Sequence, residues 1–405
     1  MDSESFDASQ VESSNASIKP HIERFKFTGK GGEYFGIWIV NILLTIVTLG
    51  IYSAWAKVRN KQYFYGNTYL DGASFEYKAT PWQILRGRLV AIVLFAVYLF
   101  ASSFLPTIGF ILAILLFIAS PWIIMKSLAF NAHYSYYRNI HFTFHQNIVD
   151  SIKTFLIVPI LAILPAILVL FGTMFFLENK GSDQSGNIMF FFVGYAAFLI
   201  LLFLAYPYMV YVANRYVVGN HAFGNQDFKL RLYSPTPVFT IYLKALGLGV
   251  ACMFLAGLIS AAVLGTGFDF EAIQSGNAST TGTKGLLSIL LVYLAIGCLY
   301  AFIIAFVKAR TYNLIYQKTM VGNHKLRAKL KATDLTMLYL TNTLGIALTL
   351  GLFIPWAKVR TAHFFANNTA LQVFGDLSSF VATQDEYQSA VGEQIGEVFD
   401  LDIAL

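Results

Sequence analysis

The chain has 405 residues, 57% of them hydrophobic and only 12% charged, where soluble domains carry roughly 25% charged residues. Such a composition excludes an ordinary soluble globular protein and points to a polytopic helical membrane protein. The formal net charge of +6 conceals segregation: residues 1–12 and 376–405 hold 11 of the 22 acidic residues and no Lys or Arg, leaving 28 bases against 11 acids elsewhere. That bias reads as positive-inside topology and not as nucleic-acid binding.

In chain order, residues 1–20 are expected to be a disordered acidic tail, without the basic n-region and apolar h-region of a cleaved signal. "RFKFTG" (24–29) reads as a strand, and "GKGGEYFG" leads into an apolar segment, Glu33–Trp55. Six clear apolar runs follow: Leu89–Pro106, Thr107–Met125, Phe155–Leu177, Ile188–Ala213, Phe239–Gly267 and Leu286–Val307. Each approaches the roughly twenty residues a crossing needs, so they read as six transmembrane helices in three hairpins. Cys252 and Cys298 fall inside these runs and are expected to be small buried hydrophobes. The outer connections, near Pro106, at 178–187 and at 265–285, hold only Lys180 and Lys284 as bases, which places the basic connections in the cytoplasm. A second apolar segment, Asp334–Trp356, closes the membrane domain (21–375), and 376–405 reads as an acidic tail.

The chain repeats itself. "WAKVRNKQYFYGNTYL" (55–70) returns as "WAKVRTAHFFANNTAL" (356–371), with Asn41 matching Asn342 and Thr48-Leu49-Gly50 matching Thr349-Leu350-Gly351. Trp55, Lys57, Arg59, Trp356, Lys358 and Arg360 then mark where apolar segments meet the interface: Trp settles there and bases meet anionic headgroups. As single crossings the two segments would leave the first and last arms on different faces. As re-entrant helix pairs they would keep matching sequences in matching solvent, and that arrangement is favoured.

The arms after each unit also resemble one another. Each has an aromatic or β-branched stretch, a break and an alternating run such as "SFEYK" or "FKLRLY". Asp71-Gly72 and Gly224-Asn225 between such runs signal short cytoplasmic β-hairpins. The last arm stops after one strand, "NTALQV", and the chain starts with one. Either these ends pair and complete a fifth hairpin, or both lie on the membrane surface. The expected fold is thus an all-α polytopic membrane protein, with six transmembrane helices, two repeated apolar segments that re-enter or span, and cytoplasmic hairpin arms.

The "TLGIYSAWAKVRNKQYFYGNTYLDG" phrase, the preceding "FTGKGGEYFGIW" and the second "WAKVR" resemble the YjgN family of bacterial inner-membrane proteins, from about Phe25 to Leu371. The resemblance implies a multi-pass inner-membrane location and brings no activity with it.

No Gly-x-Ser-x-Gly, Walker A, His-Glu-x-x-His or Cys-x-x-Cys motif is present, so no enzyme, cofactor or metal is expected. His133, His141 and His145 read as polar surface. The six clear runs lack an ionisable group outside their ends, which counts against a proton-coupled carrier. Two functions stay open. One is a transporter or channel for a small solute or lipid, its path lined by Asn41, Thr45, Asn342 and Thr343. The other is a non-transporting protein whose basic arms bind anionic lipid headgroups or a protein partner.

Overall fold

The computed structural model describes residues 20–179, 184–264, 283–378 and 380–384. Its N-terminal run forms two short strands, β1 (His21–Arg24) and β2 (Lys26–Phe27), separated only by Phe25. Four hairpins follow, all with two-residue loops. β3 (Thr68–Leu70) and β4 (Ala73–Tyr77) are joined by Asp71 and Gly72, both at positive φ (45° and 73°). β5 (Ser135–Tyr137) and β6 (Ile140–Phe144) are joined by Arg138 and Asn139, again both positive (48° and 67°). Between β7 (His221–Phe223) and β8 (Gln226–Leu230), and between β9 (Thr319–Val321) and β10 (His324–Ala328), only the glycine is positive: Gly224 at 59° and Gly322 at 55°. These are the I′ and II′ geometries whose twist suits strand pairs.

The hairpins are not separate arms. They join edge to edge into one sheet, in the order β1-β11-β10-β9-β8-β7-β6-β5-β4-β3-β2, where β11 is Thr369–Val373. The N-terminal run ties the two edges together. Glu23 of β1 stands opposite Leu371 of β11, Lys26 of β2 opposite Tyr69 of β3, and the Phe25 N–H between them donates to Thr369 O at 3.2 Å. The first and last strands therefore pair, and the sheet closes as a small barrel. The all-α expectation is corrected here: the chain is mostly helical, but its strands make one continuous structure. Strands of two to five residues are marginal as isolated hairpins, and closure removes every edge.

Helices fill the intervals between hairpins. They are α1 (Gly31–Val47), α2 (Ser53–Gly66), α3 (Pro81–Phe104), α4 (Pro106–His133), α5 (Ile148–Ile152, a π-helical turn at Lys153–Ile157, then Val158–Asn179), α6 (Gln184–Gly219), α7 (Pro235–Leu264), α8 (Thr283–Lys318), α9 (Ala332–Leu348) and α10 (Ile354–Asn367). Each consecutive pair leaves one strand and returns to the strand paired with it: β2–α1–α2–β3, β4–α3–α4–β5, and so on to β10–α9–α10–β11. All five helix pairs thus emerge from one end of the barrel, and all four tight turns lie at the other.

Among the described residues, six helices are long and apolar enough to cross a membrane, and they fall in α3 to α8 as the apolar runs predict. The helices overrun those apolar stretches because their barrel-side turns carry aromatic groups, such as Phe130 and Tyr216, into the core. Thr80 and Gln83 form a capping box at the start of α3, with Pro81 in its first turn. In α4, Pro121 cannot donate to the Phe117 carbonyl, and Ser120 Oγ takes that carbonyl at 2.7 Å instead. Cys298, expected to be buried, is exposed on α8, and Cys252 is half-buried on α7. Residues 180–183 and 265–282 of the outer loops, the first 19 residues and residues 385–405 lie outside the described residues.

The two repeated segments turn back on themselves. α1 and α2 meet at Thr48-Leu49-Gly50, and α9 and α10 at Thr349-Leu350-Gly351. In each turn the threonine hydroxyl bonds the carbonyl four residues back and accepts the N–H of the residue just before the next helix, Tyr52 or Phe353, at 2.9 Å. The glycines take φ of 92° and 95°. Leu49 and Leu350 also sit at positive φ (49° and 51°), an unusual place for a bulky residue, and are 94% and 96% exposed. Apolar side chains are thus held outward at both tips. The two short pairs are neighbours in the ring: Trp356 packs on Phe35 with ring centroids 5.0 Å apart, and a Cβ on Gly31 would meet the Trp356 ring at 2.2 Å.

Candidate functional site

The five strands that receive a returning helix begin with Thr68, Ser135, His221, Thr319 and Thr369. Each side chain bonds the carbonyl four residues earlier, in the last helical turn, at 2.5–2.8 Å. For His221 the partner is a carbonyl, so Nδ1 carries the proton, and burial pushes its pKa down, keeping the ring neutral. Helix ends leave carbonyls without partners; this ring of polar groups satisfies one in each unit.

Four of the five ring members line a cavity of about 560 Å³ where the barrel meets the helices. The rest of its wall is mainly aromatic and aliphatic, with Phe64 and Tyr65 from α2, Phe142 and Phe228 from the sheet, and Tyr312 and Tyr316 from α8. Tyr312 stacks on Tyr316 at 4.0 Å, and its hydroxyl lies 3.1 Å from Thr369 Oγ1. Because the ring's hydrogens are already committed to backbone carbonyls, the chamber presents an apolar surface with few donors to spare. A second cavity of about 510 Å³ shares Phe64, Ala362 and Phe365 with the first and runs along α9 and α10.

The far end of the barrel is filled. Residues 377–384, described except for Ser379, return as a short helix, α11. Leu377 and Val381 join Leu70, Tyr137, Ile140, Phe223 and Val373 in the barrel core. Phe380 packs edge-on against His324 at 4.6 Å, and Gln384 Oε1 accepts the Asn225 N–H at 2.7 Å. Charge alone makes everything from residue 376 a solvated tail; the apolar positions 377, 380 and 381 instead place its first turns inside the barrel, among the tight turns.

The expected path residues separate. Asn342 and Thr343 line the second cavity, whereas Asn41 and Thr45 line neither. Both amides are buried between the helices of their own pair. Asn41 Nδ2 donates to Asn60 Oδ1 at 3.1 Å, and Thr45 Oγ1 donates to Asn41 O at 2.6 Å. Asn342 accepts from Arg360 at 2.9 Å and donates towards Thr361 Oγ1 and Ala357 O, both at 3.3 Å. Of the expected anchors, Trp55 lies against Tyr52 and Trp82, Arg59 donates to the Tyr52 hydroxyl at 3.0 Å, and Lys57 is half-buried. Lys358 borders the second cavity. His145 pairs with Asp227 at 2.7 Å, and among the described residues no group of three or more His, Cys, Asp or Glu gathers as a metal site would.

Sequence reasoning missed the polar ring, although Asn-Thr at 67–68 and 368–369 and Asn-His at 220–221 carry its signal: a helix cap followed by a carbonyl-seeking side chain.

A family profile described as bacterial protein of unknown function (DUF898) matches residues 22–398. The chain is 27% identical over 383 residues to the inner membrane protein YjgN of Salmonella typhimurium strain LT2, covering 90% of this chain and 92% of that protein. It is 26% identical over 380 residues to the inner membrane protein YjgN of Escherichia coli K12, covering 91% and 92%. No solved structure matches.

Proposed function

Because this chain belongs to the DUF898 family of bacterial proteins of unknown function, a membership that fixes no activity, we propose from its geometry that it binds and carries a lipid-like, amphipathic molecule in the inner membrane. The carrying observation is the chamber of about 560 Å³, apolar in its walls and placed where five helix pairs meet a barrel. A chamber of this size and lining suits an acyl chain better than an ion or a sugar, which would need unspent donors and acceptors. The role is binding and carriage rather than catalysis.

The low side of the ring supplies a way in. Three helix pairs are long enough to span, whereas α1/α2 and α9/α10 stand side by side and turn back early. Their apolar tips, Leu49 and Leu350, would rest within one leaflet, and the second cavity runs along this side. The relatives' names support an inner-membrane location. The basic connections support a barrel on the cytoplasmic side.

The test uses full-length protein purified in mild detergent and native mass spectrometry. Wild type should retain lipid, and Ala362→Phe, which intrudes on both cavities, should lose most of it with an unchanged melting temperature. Equal retention by the variant, or no lipid on wild type, overturns the proposal.

A further inference from the structure

The two repeated helix pairs share a backbone but differ along one face. On α2, Ser53, Lys57 and Lys61 recur every four residues and so form a stripe; the matching positions on α10 are Ile354, Lys358 and Ala362. The α2 stripe faces polar groups from the next pair. Arg88 of α3 donates to Ser53 Oγ, and Lys61 Nζ donates to Asn131 Oδ1 of α4. Lys61 Nζ also lies 4.4 Å from the centre of the Tyr77 ring.

Lys57, Lys61 and Arg88 are all half-buried, and among the described residues none of them forms an ion pair with a carboxylate. Burial, and then the charge of Lys57, lower the Lys61 pKa to about 8; burial, and then Arg88, lower that of Lys57. Three neighbouring cations thus lack their counter-charge. Their placement says which anion would supply it. Arg88 is six residues beyond Trp82, roughly 9 Å along α3 at 1.5 Å per residue, so with Trp82 at the interface its backbone lies at the edge of the hydrocarbon core, within one long side chain's reach of the headgroups. Asn131, at the other end of the stripe, lines the chamber.

We propose that Ser53, Lys57, Lys61 and Arg88 bind the phosphodiester of an anionic lipid headgroup while its acyl chain occupies the chamber. The guanidinium offers a planar fork and the ammonium groups point charges, the combination that holds phosphate oxygens between membrane helices. This site rests on the chamber reading and adds headgroup selection to it.

The experiment presents full-length protein with equimolar phosphatidylglycerol and phosphatidylcholine of identical acyl chains and counts bound lipids by native mass spectrometry. Wild type should prefer phosphatidylglycerol by about tenfold or more. The Lys57→Gln/Lys61→Gln/Arg88→Gln variant should bind both lipids near parity, and Lys229→Gln/Lys329→Gln on the barrel exterior should keep the preference. Should the triple variant not fold, Lys61→Met alone should lower the preference with an unchanged melting temperature. Parity in wild type overturns the headgroup site but leaves the chamber standing, whereas binding of neither lipid sinks the chamber reading itself. Displacement of phosphatidylglycerol by inorganic phosphate, with phosphatidylcholine retained, would assign the cluster to free phosphate and overturn the lipid assignment.

Discussion

Leu377→Ala should loosen the helix that fills the barrel's far end. Leu377 is 5% exposed and packs in the barrel core, so the substitution removes a nearly fully transferred side chain and leaves a cavity. Leu→Ala changes of this kind cost about 2–5 kcal/mol. The site lies at the rim, among the tight turns, where neighbours can close in, so about 2–3 kcal/mol is the expected loss. At about 1.4 kcal/mol per factor of ten, local opening of residues 376–384 should become roughly 30- to 140-fold more frequent. Amide hydrogen exchange reads this directly, because such segments open independently of global unfolding. Exchange should accelerate across 376–384 and remain unchanged in α3 and α4. Unchanged exchange in 376–384 would refute the docked helix, and equal acceleration everywhere would mean that the segment is not a separate opening unit.

Two further outcomes follow from buried polar groups. Neutral His324 accepts the Phe374 N–H at 3.2 Å, just before α11, and its pKa is lowered by burial and then by His21. The unfolded chain therefore binds this proton more readily. The contribution, about 0.5–1.5 kcal/mol for one hydrogen bond, should be complete above about pH 6.5 and fade as pH falls towards the depressed native value. Melting curves at several pH values should show this pH-dependent component in wild type and lose it in His324→Gln; an identical pH dependence in both would contradict it. Asn342 contacts three groups and Asn41 one, so Asn342→Leu should lower the melting temperature more than Asn41→Leu, with a penalty of about 1–3 kcal/mol for the partners left unpaired. The reverse order would show that these contacts do not hold the pairs together.

Much of the ring was legible because its signals are local. The offset between the WAKVR copies, the Asp71-Gly72 and Gly224-Asn225 turns and the charge-poor runs each depend on a few adjacent residues. The Arg138-Asn139 turn was harder to see, since its left-handed residues include no glycine. Barrel closure could be posed but not decided, because pairing 21–24 with 370–373 is a contact between the chain's ends. The chamber was invisible for a different reason. Its walls combine short strands and helix ends whose aromatic residues, such as Phe64 and Tyr312, face a lumen that no single period reveals. The docking of Leu377 and Val381 was masked by the acidic residues that follow them. The Ser53–Lys57–Lys61 stripe stood in the sequence at helical spacing, but only the packing of α2 on α3 shows that Arg88 joins it.

The central claim is that both repeated segments leave and return to the same end of one closed barrel. Cysteine pairs in a background with Cys252 and Cys298 replaced by Ala test it in native membranes. Lys26 and Tyr69 are opposite each other across β2 and β3, on either side of the first segment, and Lys325 and Gln372 are opposite each other across β10 and β11, on either side of the second. Both pairs should crosslink with a short bifunctional maleimide. If either segment crossed the bilayer once, its pair would be separated by a hydrocarbon core about 30 Å thick, and the absence of a crosslink in that pair, with both cysteines singly reactive, would contradict the ring.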